Sequence, residues 1–272
     1  MTKNLCTPDP WTRLRSLTNA RLALGRSGVS LPTAEILRFG LAHAQARDAV
    51  HQPLDVETLA HAFQMAGFTS LCVASQAPDR ASYLRRPDLG RRLAPASASL
   101  LQNVATSPLP LVFVVADGLS SLATHSHALP LMQALLPYFP ELRTLPVVIA
   151  TQSRVALGDE IGQLLRARMV AVLIGERPGL SSPDSLGIYL TSGPRVGLTD
   201  AQRNCISNVR PEGLVYPEAA RKLAFLIAGA RQLGRTGVDL KDDSDAPGIA
   251  QSPETPVLPA NEAPSHHTVC AI

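Results

Sequence analysis

The sequence predicts an α/β protein with a Rossmann-like, doubly wound and mostly parallel sheet, preceded by a helical amino-terminal region. Short runs that are apolar on both faces, such as residues 111–116 and 169–174, are typical of strands buried in a parallel sheet. Amphipathic stretches separate these runs, as expected for a sheet covered by helices on both sides. Residues 1–69 contain helical patterns instead, which places the helical region first.

Three helices are predicted in the amino-terminal region. The first covers residues 10–24 and ends at Gly25, and the second opens at Pro32 with Thr33 as its N-cap. The third begins near Asp55 and ends at Gly67, a typical stop signal. The second helix carries an apolar stripe at helical spacing: Ile36, Leu37, Phe39, Gly40, Leu41 and Ala44.

From residue 70 the pattern alternates between strands and helices. Strands are predicted at residues 71–74, 111–116, 147–150 and 169–174. The intervening helices are predicted from the leucines and other apolar residues at 89–104, 131–136 and 161–165, and residues 217–233 form a closing helix. The predicted α/β domain therefore covers residues 70–240, between the helical region of residues 1–69 and a tail of residues 241–272.

The tail differs in composition from the rest of the chain. It is rich in Asp, Ser, Pro and Ala, and its prolines are Pro247, Pro253, Pro256, Pro259 and Pro264. Such a segment buries too little apolar area to offset the entropy lost on ordering. We expect residues 242–272 to be disordered, and the His266–His267 pair to be incidental rather than a metal site.

Composition argues against several classes of protein. The 272 residues have a net charge of +3 with interspersed basic residues and only 4% aromatics, which does not suit a nucleic-acid surface. No apolar run approaches the ~18 residues of a membrane helix, and the amino terminus lacks the apolar core of a signal peptide. The cysteines form no CxxC pair and suit a reducing compartment; they are Cys6, Cys72, Cys205 and Cys270. We expect a soluble, cytoplasmic protein.

The ends of the predicted strands are the first candidates for a ligand site, because open α/β sheets bind ligands beyond the carboxyl ends of strands. Two strands end there in acid-containing turns, with Asp117 and Glu176. For Asp117 we favour an N-cap role over ligand contact. For Glu176, ligand contact and a salt bridge with Arg177 or another arginine are equally favoured.

Other candidate residues have structural interpretations that we favour. Cys205 is expected to be a small packed residue rather than a nucleophile. His125 and His127 are expected to be a solvated pair rather than metal ligands. The arginines of residues 83–93 are expected to make ion pairs or a subunit contact rather than an anion site. The sequence contains no GxGxxG, GxxxxGK[ST], HExxH or GxSxG motif.

Six segments together resemble one family. They are GRSGVSLPTAEILRF from Gly25, HAQARDAV from His43, YLRRPDLGRRL from Tyr83, VVADGLSS from Val114, GERPGLSSPDSL from Gly175 and RNCISNVRPEG from Arg203. This combination is similar to the small subunit of ethanolamine ammonia-lyase, over about residues 14–238.

The resemblance implies a Rossmann-like small subunit packed on a large barrel subunit, with adenosylcobalamin held where the two meet. The family reaction converts ethanolamine to acetaldehyde and ammonia by radical chemistry, and the large subunit handles the substrate. Residues 70–240 would then be the cobalamin-binding domain, with cofactor contacts at Val155, Glu176 and Cys205 and no catalytic residue or metal ligand of their own. The absence of a DxHxxG motif agrees with cobalamin that keeps its benzimidazole on cobalt.

Two other functional classes stay open at this point. One is a non-catalytic scaffold subunit that has lost cobalamin, which the intact GERPGL and RNCISN segments disfavour. The other is a stand-alone hydrolase or transferase acting through Ser120 or Cys205, which the missing GxSxG elbow disfavours. Some members of the family carry a long amino-terminal extension associated with bacterial microcompartments, and here only a few residues precede the first predicted helix. A plain cytoplasmic complex and an encapsulated one are both open.

Overall fold

A computed structural model describes residues 6–18, 20–105 and 107–245 of the chain. The strands are β1 (Ser70–Ala74), β2 (Val112–Ala116), β3 (Val147–Thr151), β4 (Met169–Gly175), β5 (Leu186–Ser192) and β6 (Arg203–Val209). The helices are α1 (Thr33–His51), α2 (Val56–Met65), α3 (Arg80–Arg85), α4 (Pro95–Val104), α5 (Ser121–Leu135), α6 (Leu157–Leu164) and α7 (Tyr216–Leu233).

All six strands form one mixed sheet in the order β1-β3-β2-β4-β5-β6. The first four strands in this order are parallel, whereas β5 is antiparallel to β4 and β6 is antiparallel to β5. The predicted α/β class is confirmed. The strand order is neither of the two common doubly wound orders, so the Rossmann-like detail is not confirmed.

Helices cover both faces of the sheet. On the first face, α2, α5 and α7 pack on apolar side chains from strands that include β2, β4 and β5. On the second face, α4 and α6 pack on alternate side chains of the parallel strands, such as Val114, Val148 and Val172. Every residue of β2 and β4 is buried, which explains why these strands read as continuous apolar runs in the sequence.

The amino-terminal region departs from prediction in its first helix. Between residues 10 and 24, the described part of the chain contains only a short 3₁₀ helix, Thr12–Ser16, and it reaches Gly25 in an irregular conformation with Ala23 at φ 55°. The second predicted helix is present as α1, but Thr33 is its first residue and Pro32 occupies the N-cap position without a capping bond. The third is confirmed as α2.

The stripe predicted on α1 is mostly exposed to solvent. Ile36 is 52% exposed, Leu37 67% and Leu41 59%. The helix instead buries the small side chains of Ala42 and Ala49. Within the described residues the apolar face of α1 is covered only in part, by the Arg21 guanidinium, which lies 5.5 Å from the centroid of the Phe39 ring.

The single helix predicted over residues 89–104 is wrong. The chain forms α3, then a 3₁₀ turn at Leu89–Arg91, and then α4, which begins at Pro95. Pro95 explains the division, because it disfavours helical backbone at Ala94 and is suited to the first turn of a new helix. Pro87 likewise disfavours helical backbone at Arg86, where α3 ends.

The start of the tail is ordered on α7, contrary to the expectation of disorder from Asp242. Arg221 donates to Ser244 O at 2.8 Å and to Asp245 Oδ1 at 2.6 Å, and Lys222 lies 3.3 Å from Asp242 Oδ2. Residues 246–272, with the His266–His267 pair, lie outside the described residues. Among the helices of the described ranges, none has both the length and the apolar character needed to cross a membrane.

Candidate functional site

The crevice at the reversal of strand order is filled by protein. It lies between β2 and β3, because the chain leaves β2 toward α5 on the first face and leaves β3 toward α6 on the second. Asp117 is 1% exposed there and accepts hydrogen bonds from Gln152 N and Ser153 N, both at 2.8 Å. Arg80 Nη1 donates to Asp117 Oδ2 at 3.2 Å. Asp117 thus joins the ends of two strands.

The N-cap role favoured for Asp117 is wrong. Ser120 is the N-cap of α5, and its Oγ accepts a hydrogen bond from Ala123 N at 3.2 Å. Burial raises the pKa of Asp117, while the hydrogen bonds from Ser153 and Gln152 and the charge of Arg80 oppose that rise. The carboxylate is committed to structure rather than to a ligand.

Tyr83 completes the filling of this crevice. Its side chain is fully buried, and its hydroxyl donates to Ser153 O at 2.9 Å. The guanidinium carbons of Arg80 and Arg154 lie 4.9 and 4.3 Å from the ring centroid, so both cations contact the ring. Burial raises the pKa of Tyr83, so the hydroxyl stays protonated and available as a donor.

The arginine-rich segment around Tyr83 also anchors the chain that follows β3. Gly90 O accepts a hydrogen bond from Arg154 N at 2.8 Å. Arg86 pairs with Asp88 at 2.7 Å and Arg92 pairs with Glu160 at 3.1 Å, which confirms the ion-pair interpretation for these two arginines. The segment therefore supports the loop from β3 to α6.

Val155 lies in that supported loop, two residues before α6 begins at Leu157. Its side chain is half-buried and packs against the apolar core of the second face. Its carbonyl accepts a hydrogen bond from Gly158 N at 3.0 Å, which fixes the backbone. Val155 presents a small apolar contact at the carboxyl end of the parallel strands.

Glu176 follows β4 and accepts two hydrogen bonds, one from the residue just before β5 and one from β6. Its Oε2 accepts from Ser185 Oγ at 2.7 Å and from Asn208 N at 3.2 Å. Gly187 lies beside it, since a Cβ at that position would stand 3.0 Å from Glu176 Oε1. Within the described residues Glu176 makes no ion pair, with Arg177 or with any other arginine. The salt-bridge interpretation of Glu176 is therefore wrong.

Cys205 lies in the middle of β6, directly opposite Tyr189 of β5. It is exposed, so the expectation of a packed and shielded thiol is wrong for the chain by itself. Its Sγ lies 3.3 Å from Ser207 Oγ. Tyr189, Cys205 and Ser207 occupy the second face of β5 and β6, and we call this surface the open face because Cys205 and Ser207 are exposed there.

The structure brings two of the three predicted site residues close together. Glu176 is bonded to Asn208, three residues after Cys205 on β6. Val155 follows β3, which is separated from β4 by β2, so two strand spacings of about 4.8 Å each lie between these strands. The three residues outline an extended surface rather than a compact pocket.

Other candidates raised by the sequence have structural roles. Ser120 is fully buried and donates to Pro183 O at 2.8 Å, which removes it as a nucleophile. His125 is exposed, whereas His127 is buried with its Nδ1 2.9 Å from Tyr216 Oη. The expectation of a solvated pair holds for His125 alone. Nowhere in residues 6–18, 20–105 or 107–245 do three metal-ligating side chains cluster.

The fold and its exposed residues define an α/β protein with an uncovered sheet face beside Glu176. A family model described as ethanolamine ammonia-lyase light chain (EutC) matches residues 8–241. The chain belongs to this family. A relative from Azotobacter vinelandii is 54% identical over 244 residues, which cover 88% of this chain and 90% of the relative.

Further relatives give the same result. One from Xanthomonas campestris pv. campestris is 52% identical, covering 93% of this chain and 95% of its own length. One from Pseudomonas fluorescens is 56% identical, covering 87% and 88%. All three are named ethanolamine ammonia-lyase small subunit. The resemblance seen in the six sequence segments is confirmed.

Proposed function

We propose that this chain is the small subunit of an adenosylcobalamin-dependent ethanolamine ammonia-lyase, which converts ethanolamine to acetaldehyde and ammonia. Membership of the family supports the lyase role. The observation that carries the cofactor assignment is the placement of Glu176, whose carboxylate lies beside the open face rather than in an ion pair. The chain would bind cofactor and partner, and the large subunit would hold the substrate.

The residues of this surface fit the chemistry of cobalamin. The corrin carries amide groups around its edge, and a carboxylate such as that of Glu176 accepts hydrogen bonds from amide N–H donors. Val155 and the open face add apolar and weakly polar contacts. When bound, adenosylcobalamin supplies the radical that takes a hydrogen atom from the substrate.

Within this proposal the chain's own residues bind and orient. Glu176 is fixed through Ser185 and Asn208, so its carboxylate meets a ligand without losing much side-chain freedom. Val155 is fixed by the loop that Tyr83 and Arg154 support. Neither residue transfers a proton or electron in this scheme.

The large subunit is the partner that we propose, in accord with the small-subunit name of the relatives. The exposed apolar side chains of α1 support it, because a contiguous apolar surface of this kind marks an interaction site. A cytoplasmic location, free or inside a microcompartment, stays a prediction.

Cysteine alkylation in the assembled complex tests the site directly. The complex is treated with iodoacetamide with and without cyanocobalamin, and modification of Cys205 is followed by peptide mapping. We expect cobalamin to protect Cys205 while leaving Cys6, which is also exposed, unprotected. If Cys205 reacts freely without cobalamin and is modified to the same extent with it, Cys205 does not contact the cofactor.

The scaffold alternative is tested in the same complex. A scaffold that has lost cofactor binding would assemble with the large subunit, yet neither retain cyanocobalamin nor form acetaldehyde with adenosylcobalamin. The proposed enzyme does both. A complex that assembles but neither retains cyanocobalamin nor forms acetaldehyde would contradict the proposed function and support the scaffold alternative.

A further inference from the structure

The open face has an aromatic side chain at its centre that no sequence motif had marked. Tyr189 is the one aromatic residue of β5 and β6. In the sheet it pairs with Val172 of β4 on one side and with Cys205 of β6 on the other. It therefore lies between the buried second-face core and the exposed edge.

The environment of Tyr189 is half apolar and half polar. Its side chain is half-buried and packs against the same core of the second face as Val155. Burial raises the pKa of Tyr189, and the nearby Cys205 and Glu176 side chains raise it further. The hydroxyl thus stays protonated beside both residues.

Small and exposed residues adjoin this ring on the side of β6. At Gly187, two positions before Tyr189 on β5, the Glu176 side chain lies against the strand, since a Cβ there would stand 3.0 Å from Glu176 Oε1. Cys205 and Ser207 are small and exposed on the adjoining strand. α5 and α7 lie over β5 and β6 on the opposite, first face.

We propose that Tyr189 is a further cofactor-binding residue, whose ring forms a flat apolar support for cobalamin between Val155 and Cys205. This inference rests on the proposed function. A rigid ring gives a large contact area with little loss of conformational freedom, and stacked or edge-to-face contacts add to the burial of apolar surface. Packing against the core of the second face and pairing with Cys205 in the sheet hold the ring in place.

The test measures binding of cyanocobalamin by equilibrium dialysis, using the complex of the full chain with its large subunit. Tyr189→Ala removes the ring, and we expect the Kd to rise about tenfold, equivalent to ~1.4 kcal/mol. Tyr189→Phe keeps the ring, so its Kd should stay within about threefold of wild type. Tyr138→Ala is the matched control, since Tyr138 is 44% exposed and lies outside β5 and β6.

The outcomes separate this inference from the proposed function. A wild-type complex that does not bind cyanocobalamin overturns both. A wild-type complex that binds, with Tyr189→Ala unchanged or with Tyr138→Ala equally weakened, overturns the role of Tyr189 alone. If Tyr189→Ala does not assemble, Tyr189→Leu decides, because leucine fills the core without providing a flat ring. Binding of that variant like wild type overturns the proposal, and a clear loss supports it.

Discussion

A single carboxylate oxygen on Glu176 links two strands of the sheet. Since Ser185 and Asn208 both donate to Oε2, removal of the carboxylate affects the local structure as well as any ligand contact. A substitution at Glu176 therefore needs a companion that breaks the structural bond alone. Ser185 provides it, because its hydroxyl is buried and bonded to Glu176.

We expect Glu176→Ala to weaken cobalamin binding by about ten- to a hundredfold, since a lost charge-assisted hydrogen bond is worth roughly 1.5–3 kcal/mol. Glu176→Gln keeps one acceptor oxygen and should lose less. Dialysis with cyanocobalamin and thermal melting are measured on each complex. Ser185→Ala is the control: if it weakens binding as much as Glu176→Ala does, Glu176 acts through the loop and not by direct contact.

Cys205→Ser should keep most turnover and bind cobalamin slightly more weakly. The thiol is exposed and no histidine hydrogen-bonds to it among the described residues, so a nucleophilic role has no support. Acetaldehyde formation and the Kd for cobalamin are measured side by side. Complete loss of turnover with normal binding would instead indicate covalent chemistry at this sulfur.

Single residues were predictable from the sequence only where the local motif was informative. Glu176 follows a buried strand, and its place at the carboxyl end of that strand could be predicted from the local sequence alone. The true role of Asp117 depends on Arg80, 37 positions earlier, and on the end of β3, which no local pattern reveals. Tyr189 was not singled out in the sequence, because no strand was predicted over β5.

At the scale of elements, the four parallel strands β1 to β4 were predicted well, and the two antiparallel strands β5 and β6 were not. β2 and β4 are uniformly apolar. β6 buries only Arg203, Ile206 and Val209, and the register between β5 and β6 is interrupted by a bulge near Gly187. Neither strand therefore gives a continuous apolar run or a clean alternation, and the open face could not be predicted.

The contacts of Asp117, which connect the ends of β2 and β3, lead to a prediction about stability. We expect Asp117→Ala to lower the free energy of unfolding by about 3–5 kcal/mol, because it leaves the buried charge of Arg80 without its partner. Urea unfolding of the isolated chain measures this. Asp88→Ala is the matched control, since its ion pair with Arg86 is exposed and should contribute little. Equal, small losses in both variants would contradict the structural role of Asp117.

At the scale of the whole molecule, the described part of the tail contacts α7 through residues 242–245. Truncation after Asp245 should leave assembly and activity unchanged, because the contacts with α7 survive. Truncation after Lys241 removes the acids that bind Arg221 and Lys222 and should lower the melting temperature. Differential scanning calorimetry compares the two forms. A loss of assembly in the first truncation would assign a binding role to residues 246–272.

The whole chain is also predicted to be inactive by itself. Its crevice at the strand reversal is filled by Tyr83 and Asp117, and its candidate site is an open surface that excludes no water. Under the proposed function the radical chemistry requires an enclosed site, so we expect a second surface to close over the open face. Acetaldehyde formation should therefore appear only when the large subunit and adenosylcobalamin are both added.

The dependence on the large subunit can also be tested at the exposed face of α1, without changing the candidate site. Leu37→Glu places a charge on an apolar side chain that is 67% exposed, so the isolated chain should keep its stability. If the large subunit covers this face, the variant should co-purify poorly, since a charge would be buried without a partner. Arg47→Glu, at an exposed position on the same helix, is the control for charge alone. Normal co-purification of Leu37→Glu would place the subunit contact elsewhere on the chain, and turnover by the isolated wild-type chain would refute the subunit assignment itself.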